Sequence, residues 1–193
     1  MEKRKIILAS RSPRRKQLLE QLGLEFEIQE SEYEEDMTIM EDPYELVKFL
    51  ALKKTEAVAK DYEDAIIIGA DTFIVFRNKF LGKPKDENEA RSMLKSISGN
   101  KLSVVTGYAI IDTKSKKTVN DYDEAILEFR KIEEEEIDDY IKTGIPLDRA
   151  GAFGVQDKAA VFIKRIEGDY NSIVGLPIAK IYISLKELGM KML

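Results

Sequence analysis

Histidine, cysteine and tryptophan are missing from all 193 residues. Without His or Cys there is no Ser-His-Asp or Cys-His nucleophile, no thiolate, no disulfide, no haem or iron–sulfur ligation and no ordinary zinc site. Chemistry in this chain therefore rests on carboxylates, Lys, Arg, Tyr, Ser and Thr, with a hard cation where one is needed. Oxygen-rich sites of that kind suit Mg²⁺ or Mn²⁺, which commonly accompany phosphates. Long hydrophobic runs are lacking too. The start, Met1 to Ser10, has too short an apolar stretch for a signal peptide, and nothing later approaches about 18 consecutive apolar residues. A cytoplasmic protein with no membrane partner is the expectation.

What is present suits a globular fold. Apolar residues make up 44% of the chain, enough for a real core in one domain or two small lobes. Charged residues reach 35%, against roughly 25% in average proteins, so the surface is heavily solvated. The signs nearly cancel, leaving a formal charge of −5. That is a poor balance for general nucleic-acid binding, so no stable nucleic-acid partner is expected, although a local basic pocket stays open.

The pattern reads as alternating strands and helices on a mixed sheet, an α/β or α+β fold. A strand is expected at Ile6–Ala9, then a helix opened by Ser12-Pro13, with Leu18, Leu19 and Leu22 inward and Gly23 as its stop. Leu24–Gln29 reads as a second strand. Asp42-Pro43 opens a helix to about Lys60. The apolar run Ala65–Ala70 is a strand covered on both faces, and Phe73–Phe76 with Lys79–Leu81 a hairpin about Arg77-Asn78. Asp86 and Glu89 begin a further helix, and two long strands follow near Ser103–Asp112 and Val119–Phe129. Glu133–Lys142 is a helix whose acids complement its N-terminus. Strands near Ala152–Val155 and Ala160–Ile166 and a C-terminal helix after Pro177 complete the expectation.

Several segments can carry chemistry. Ser10-Arg-Ser-Pro-Arg-Arg15 places Arg14 and Arg15 in the first turn of a helix, where the dipole favours acids. Cations there make sense beneath a multiply charged anion, although a solvated helix start is the blander account. Gly69-Ala70-Asp71-Thr72 puts a carboxylate directly after a buried strand, a place for a metal ligand or general base; an Asp that merely turns the chain is the alternative. Gly82-Lys83-Pro84 fixes a Lys in a loop, while no Walker A sequence is present. The acidic run Glu32–Asp36 could add a second metal ligand or simply be solvated, and of Lys53-Lys54 one side chain should face inward. Asp148–Gln156 and Gly168–Pro177 are rich in Gly and small residues, which suits close ligand approach as well as tight turns; Gln156 could read a base edge.

In their order along the chain these segments resemble the Maf family, the septum-formation-associated nucleoside triphosphate pyrophosphatases. The carriers are Ala-Ser-Arg-Ser-Pro-Arg-Arg at 9–15, Ile-Gly-Ala-Asp-Thr at 68–72, Gly-Lys-Pro at 82–84, Ser-Gly at 98–99 and Val-Thr-Gly at 105–107. Asp-Arg-Ala-Gly-Ala-Phe-Gly-Val-Gln at 148–156 and Gly-Asp-Tyr-Asn-Ser-Ile-Val-Gly-Leu-Pro at 168–177 complete them. Any one is weak, and the ordered set is specific.

The resemblance implies hydrolysis between the α- and β-phosphates of a nucleotide with a divalent cation, Mg²⁺, Mn²⁺ or Co²⁺. It implies a catalytic role for Asp71, substrate contacts for Ser10, Arg14, Arg15, Lys54, Thr72, Lys83 and Gln156, and metal ligation by Asp71 and Glu35. It also implies a single two-lobed domain on an elongated, twisted mixed sheet flanked by helices, with a central cleft, Maf/ITPase-like; family members are often dimers, so a homodimer is an expectation. Four departures stand out: Asn100 follows Ser98-Gly99 where a His is usual nearby, Phe153 replaces a Tyr, Arg149 replaces a Lys and Asp157 replaces a Gly. One branch acts on dTTP and UTP and another on methylated guanosine triphosphate; the Pro-Arg-Arg, Ala-Asp and Gly-Val-Gln forms match the pyrimidine branch, whose range could include modified pyrimidines. A nucleotide-binding regulator of division, with incidental hydrolysis, is the reading from another class.

Overall fold

Residues 65–70 are buried one after another, as a strand covered on both faces requires, but the strand does not end there. A computed structural model describes residues 4–36 and 39–191. Its elements are β1 (Lys5–Leu8), α1 (Pro13–Glu20), β2 (Glu27–Ile28), α2 (Pro43–Ala59), β3 (Ala65–Phe76), β4 (Lys79–Leu81) and α3 (Glu87–Ile97), then β5 (Lys101–Asp112), β6 (Lys117–Phe129), α4 (Glu134–Lys142), β7 (Ile163–Glu167), α5 (Tyr170–Val174) and α6 (Ile178–Glu187). The strands form one mixed sheet in the order β2-β1-β3-β5-β6-β7, with β4 also on β3. β1 runs parallel to β2 and β3, while β4 and β7 are antiparallel to their partners. Among the described residues no helix is long and apolar enough to cross a membrane.

The chain divides into two compact units. The first comprises Met1–Thr72, Thr106–Asp123 and Val174–Leu193, and the second Phe73–Val105 and Glu124–Ile173.

In the first unit β1 is registered on β3, Ile6 opposite Ile66 and Leu8 opposite Ile68. Ile7, Ala9, Ala65 and Ile67 pack with Val58 of α2 as one apolar cluster, each large aliphatic contributing roughly 1.5–3 kcal/mol by burial. Asp42 starts α2, its Oδ1 accepting from the Tyr44 and Glu45 amides at 2.8 and 3.1 Å. At one end of the strands Arg4 grips Asp112 with two hydrogen bonds of 2.7 Å. Leu18 and Leu19 are buried as the helix stripe expects, whereas Leu22 is half-buried beyond the end of α1, where single turns carry the chain to Gly23.

In the second unit α3 and α4 lay Leu94, Ile97, Ile137 and Ile141 against Leu127, Phe129, Phe153 and Phe162. The β3–β4 hairpin turns through Arg77 and Asn78, both at positive φ, the two-residue geometry that matches strand twist. Asp86 caps α3 on the Glu89 amide, and Glu89 itself accepts from the Lys85 amide. Glu133 and Glu136 form the capping box of α4.

Three local expectations differ. Leu24–Gln29 yields only Glu27–Ile28 as strand, because this edge finds a partner in β1 alone. No strand forms at 152–155: Gly151 and Ala152 both take φ of +64°, which ends extended structure. The strand expected from Ala160 starts at Ile163, because Asp157 caps a tight 3₁₀ turn over Lys158–Phe162.

Candidate active site

Asp71 lies inside β3 rather than after it, with Thr72 continuing the same strand. This excludes the hairpin-turn account of that carboxylate. Alternation puts Asp71 on the face of Gly69 and Thr72 on the other. The Gly69 face is covered by α2 at close range: a Cβ there would stand 2.1 Å from Thr55 Oγ1 and 3.3 Å from the Ala51 carbonyl. On the neighbouring strand β5, a Cβ on Gly107 would stand 2.4 Å from the Val47 carbonyl. Two glycines thus seat α2 directly on the sheet, and Lys54 comes within reach of Asp71.

Lys54 Nζ lies 3.1 Å from Asp71 Oδ1 and 2.6 Å from Glu35 Oε1. One ammonium therefore joins a carboxylate of the strand to one of the acidic segment. Its neighbour Lys53 pairs instead with Glu56, so Lys54 is the inward member of the pair. Asp71 Oδ1 also accepts from the Thr72 amide at 3.0 Å. Asp71 Oδ2 is buried and has no hydrogen-bond partner. Burial pushes the Asp71 carboxyl above the usual carboxylate range; Lys54 and then Arg15 pull it back, and Glu35 adds to the rise.

On the other face Arg15 is held from several directions. Its Nε donates to the Gly175 carbonyl at 2.9 Å, Nη1 to Ser10 Oγ at 3.2 Å and Nη2 to Thr72 Oγ1 at 3.3 Å. Asp71 Oδ1 is 4.0 Å from Nη2. Burial lowers the Arg15 pKa from its ordinary value, and Asp71 opposes that shift. Thr72 Oγ1 lies 2.9 Å from Thr106 Oγ1, two hydroxyls on adjacent strands. Arg14, one residue away on α1, is exposed.

A family model described as Maf-like protein matches residues 5–188. The chain belongs to the Maf family. Proteins named dTTP/UTP pyrophosphatase from Bacillus cereus (strain B4264) and Bacillus cytotoxicus are each 47% identical to it over 184 residues, 95% of either chain. One from Bacillus thuringiensis subsp. konkukian is 47% identical over 186 residues, 96% of both chains. The solved structure of the Staphylococcus aureus Ham1 protein matches 65% of this chain and 71% of its own, with 14% identity and a TM-score of 0.46.

The Maf motifs fall into two groups in space. Ser10, Arg15, Glu35, Lys54, Asp71 and Thr72 converge within the first unit through the contacts above. Lys83 and Gln156 belong to the second unit. There the two motif loops are joined: the Gly151 amide donates to the Gly82 carbonyl at 2.9 Å, and Lys83 Nζ pairs with Asp148 at 2.5 Å. Gln156 is exposed at the tip of a turn closed by the Asp157 amide on the Gly154 carbonyl, 3.2 Å.

Sequence reasoning missed Thr106, Thr55 and Gly175. Thr106 stands in the Val-Thr-Gly segment with only its alternation against Gly107 to mark it. Gly175 stands in the Gly-rich 168–177 segment at a φ of +124°, but that its carbonyl would accept from Arg15 is not written in the local pattern.

A divalent cation fits the carboxylates present. Among the described residues no three acidic groups cluster to form a complete cage. Asp71 and Glu35 do converge on one positive charge, and Asp71 Oδ2 is an unused buried acceptor. Two carboxylates completed by substrate phosphates is a common arrangement for Mg²⁺.

Proposed function

We infer that this chain hydrolyses dTTP and UTP, and modified pyrimidine triphosphates of similar shape, to the nucleoside monophosphate and pyrophosphate. The observation that carries this reading is Asp71: a buried carboxylate with a raised pKa, one oxygen on Lys54 and the other without a partner, in a chain 47% identical to proteins named dTTP/UTP pyrophosphatase. Asp71 and Glu35 would hold a divalent cation, Mg²⁺, Mn²⁺ or Co²⁺, which supplies charge neutralisation on the phosphate oxygens.

The chain's own residues account for the remaining work. Lys54, with Ser10, Arg14 and Lys83, gathers the triphosphate charge. Arg15 and Thr72 keep the Asp71 segment in place from the opposite face of β3. Asp71 orients a water and accepts its proton; the water oxygen bonds to the α-phosphorus in line with the leaving group, and the bond to the β-phosphate bridging oxygen breaks. Gln156 reads the base through its amide.

The test is pyrophosphate and monophosphate release, measured separately, from dTTP, UTP, CTP, ATP, GTP and modified nucleotides with each cation. Fastest turnover of dTTP and UTP is expected, and Asp71→Asn should reduce it about 10³-fold or more while nucleotide binding persists. Near-normal turnover in that variant would remove Asp71 from the chemistry.

A further inference from the structure

Asp157 is unusually well held for a residue beside an exposed loop tip. Its Oδ1 accepts from the Tyr140 hydroxyl at 3.0 Å and from the Ala159 amide at 2.9 Å, and its Oδ2 from Arg149 Nε at 3.2 Å. The three donors come from α4, from the 3₁₀ turn over Lys158–Phe162, and from the start of the loop that ends at Asp157 itself. Gly154 leaves room for the carboxylate, since a Cβ there would lie 2.2 Å from Asp157 Oδ2. Phe153 pins the loop's middle in the core, edge-on to Phe129 with ring centroids 4.9 Å apart. Between these two anchors Gly154, Val155 and Gln156 remain, and Gln156 is the exposed one.

We propose that Asp157 is the positioning residue for Gln156: gripped by Tyr140, Arg149 and the Ala159 amide, it fixes the 149–157 loop and the direction of the Gln156 amide, and so sets base discrimination without touching the nucleotide. The proposal rests on the nucleotide pyrophosphatase reading above and on Gln156 meeting the base. Both oxygens of Asp157 are already occupied by protein donors, so its influence passes through the loop. An amide is a directional reader, offering a donor and an acceptor at fixed positions. Losing its orientation forfeits the penalty that a mismatched base would otherwise meet.

The experiment uses the full chain with Asp157→Ala and the near-isosteric Asp157→Asn, each alone and combined with Gln156→Ala. Steady-state kcat and KM are measured for dTTP, UTP and CTP, with thermal unfolding alongside. The expected result for Asp157→Ala is a KM for dTTP and UTP raised about tenfold, a kcat changed little, and a smaller preference over CTP. Asp157→Asn should show the same trend, smaller. In the Gln156→Ala background the Asp157 substitutions should alter KM by less than about twofold, because the group they orient is gone. An unchanged base preference, or a KM effect that persists in that background, overturns the positioning role and leaves Asp157 a purely structural residue. Failure of the unaltered chain to release pyrophosphate from any nucleotide would instead overturn the functional reading beneath it.

Discussion

Lys54 Nζ stands 3.1 Å from Asp71 Oδ1, and both side chains are largely shielded from solvent. Burial raises the Asp71 pKa and Lys54 is the strongest opposing influence. Lys54→Met should therefore move the acid limb of the kcat/KM profile to higher pH, because Asp71 loses the cation that favours its charged form. At neutral pH the loss should be about 10²-fold or more. A pH–rate profile with an unmoved acid limb would separate Lys54 from Asp71.

Arg15 differs from Arg14 in kind. Arg15→Lys keeps the charge but leaves some of Gly175 O, Ser10 Oγ and Thr72 Oγ1 without their donors, each loss costing about 1–3 kcal/mol when buried. Thermal unfolding should shift down and kcat should fall. Arg14→Lys, on the exposed side of α1, should leave the unfolding midpoint in place and act on KM. Equal effects on stability from the two would contradict the burial difference.

Gly107 has no room for a methyl group. In Gly107→Ala the added carbon meets the Val47 carbonyl, part of the α2 backbone, and relief requires the helix to move. The expected loss is about 1–3 kcal/mol or more in chemical denaturation, with activity falling further than stability alone explains because Lys54 rides on that helix. Activity that tracks only the folded fraction would show that the seat of α2 does not set the Lys54 position.

Arg4 and Asp112 provide a stability switch far from the chemistry. The Arg4 guanidinium holds the Asp112 carboxyl well below the usual carboxylate range. A carboxylate whose pKa is depressed on folding adds stability above its unfolded pKa and loses it as the pH falls through the folded value. Asp112→Asn should thus cost about 2–3 kcal/mol at pH 7, and the gap to the unaltered protein should shrink below about pH 4. Urea unfolding at both ends of that window checks the sign.

Much of this arrangement was legible in the residues. Ser12-Pro13, Asp42-Pro43 and Asp86 mark three helix starts because their side-chain oxygens satisfy amides that the helix leaves open. The apolar run at 65–70 gives β3 but not its length, since Asp71 and Thr72 look like a chain break until both are seen to have partners on opposite faces of a strand. Ala152–Val155 misleads in the other direction: its alternation of small and apolar residues suits a strand, and positive φ at Gly151 and Ala152 overrides it. Asp71, Lys54 and Glu35 could be named from motif resemblance. That Lys54 joins both acids, and that Arg15 is turned inward, are products of tertiary packing that no spacing along the chain encodes.

The placement of Asp71 within β3 also bears on when the protein opens. Strand β3 sits between β1 and β5 in the sheet order, and amides so placed exchange with solvent only through the largest openings a fold undergoes. Asp71 is carried by a strand flanked on both sides in the sheet, so heat should extinguish the activity proposed for it together with the sheet rather than ahead of it.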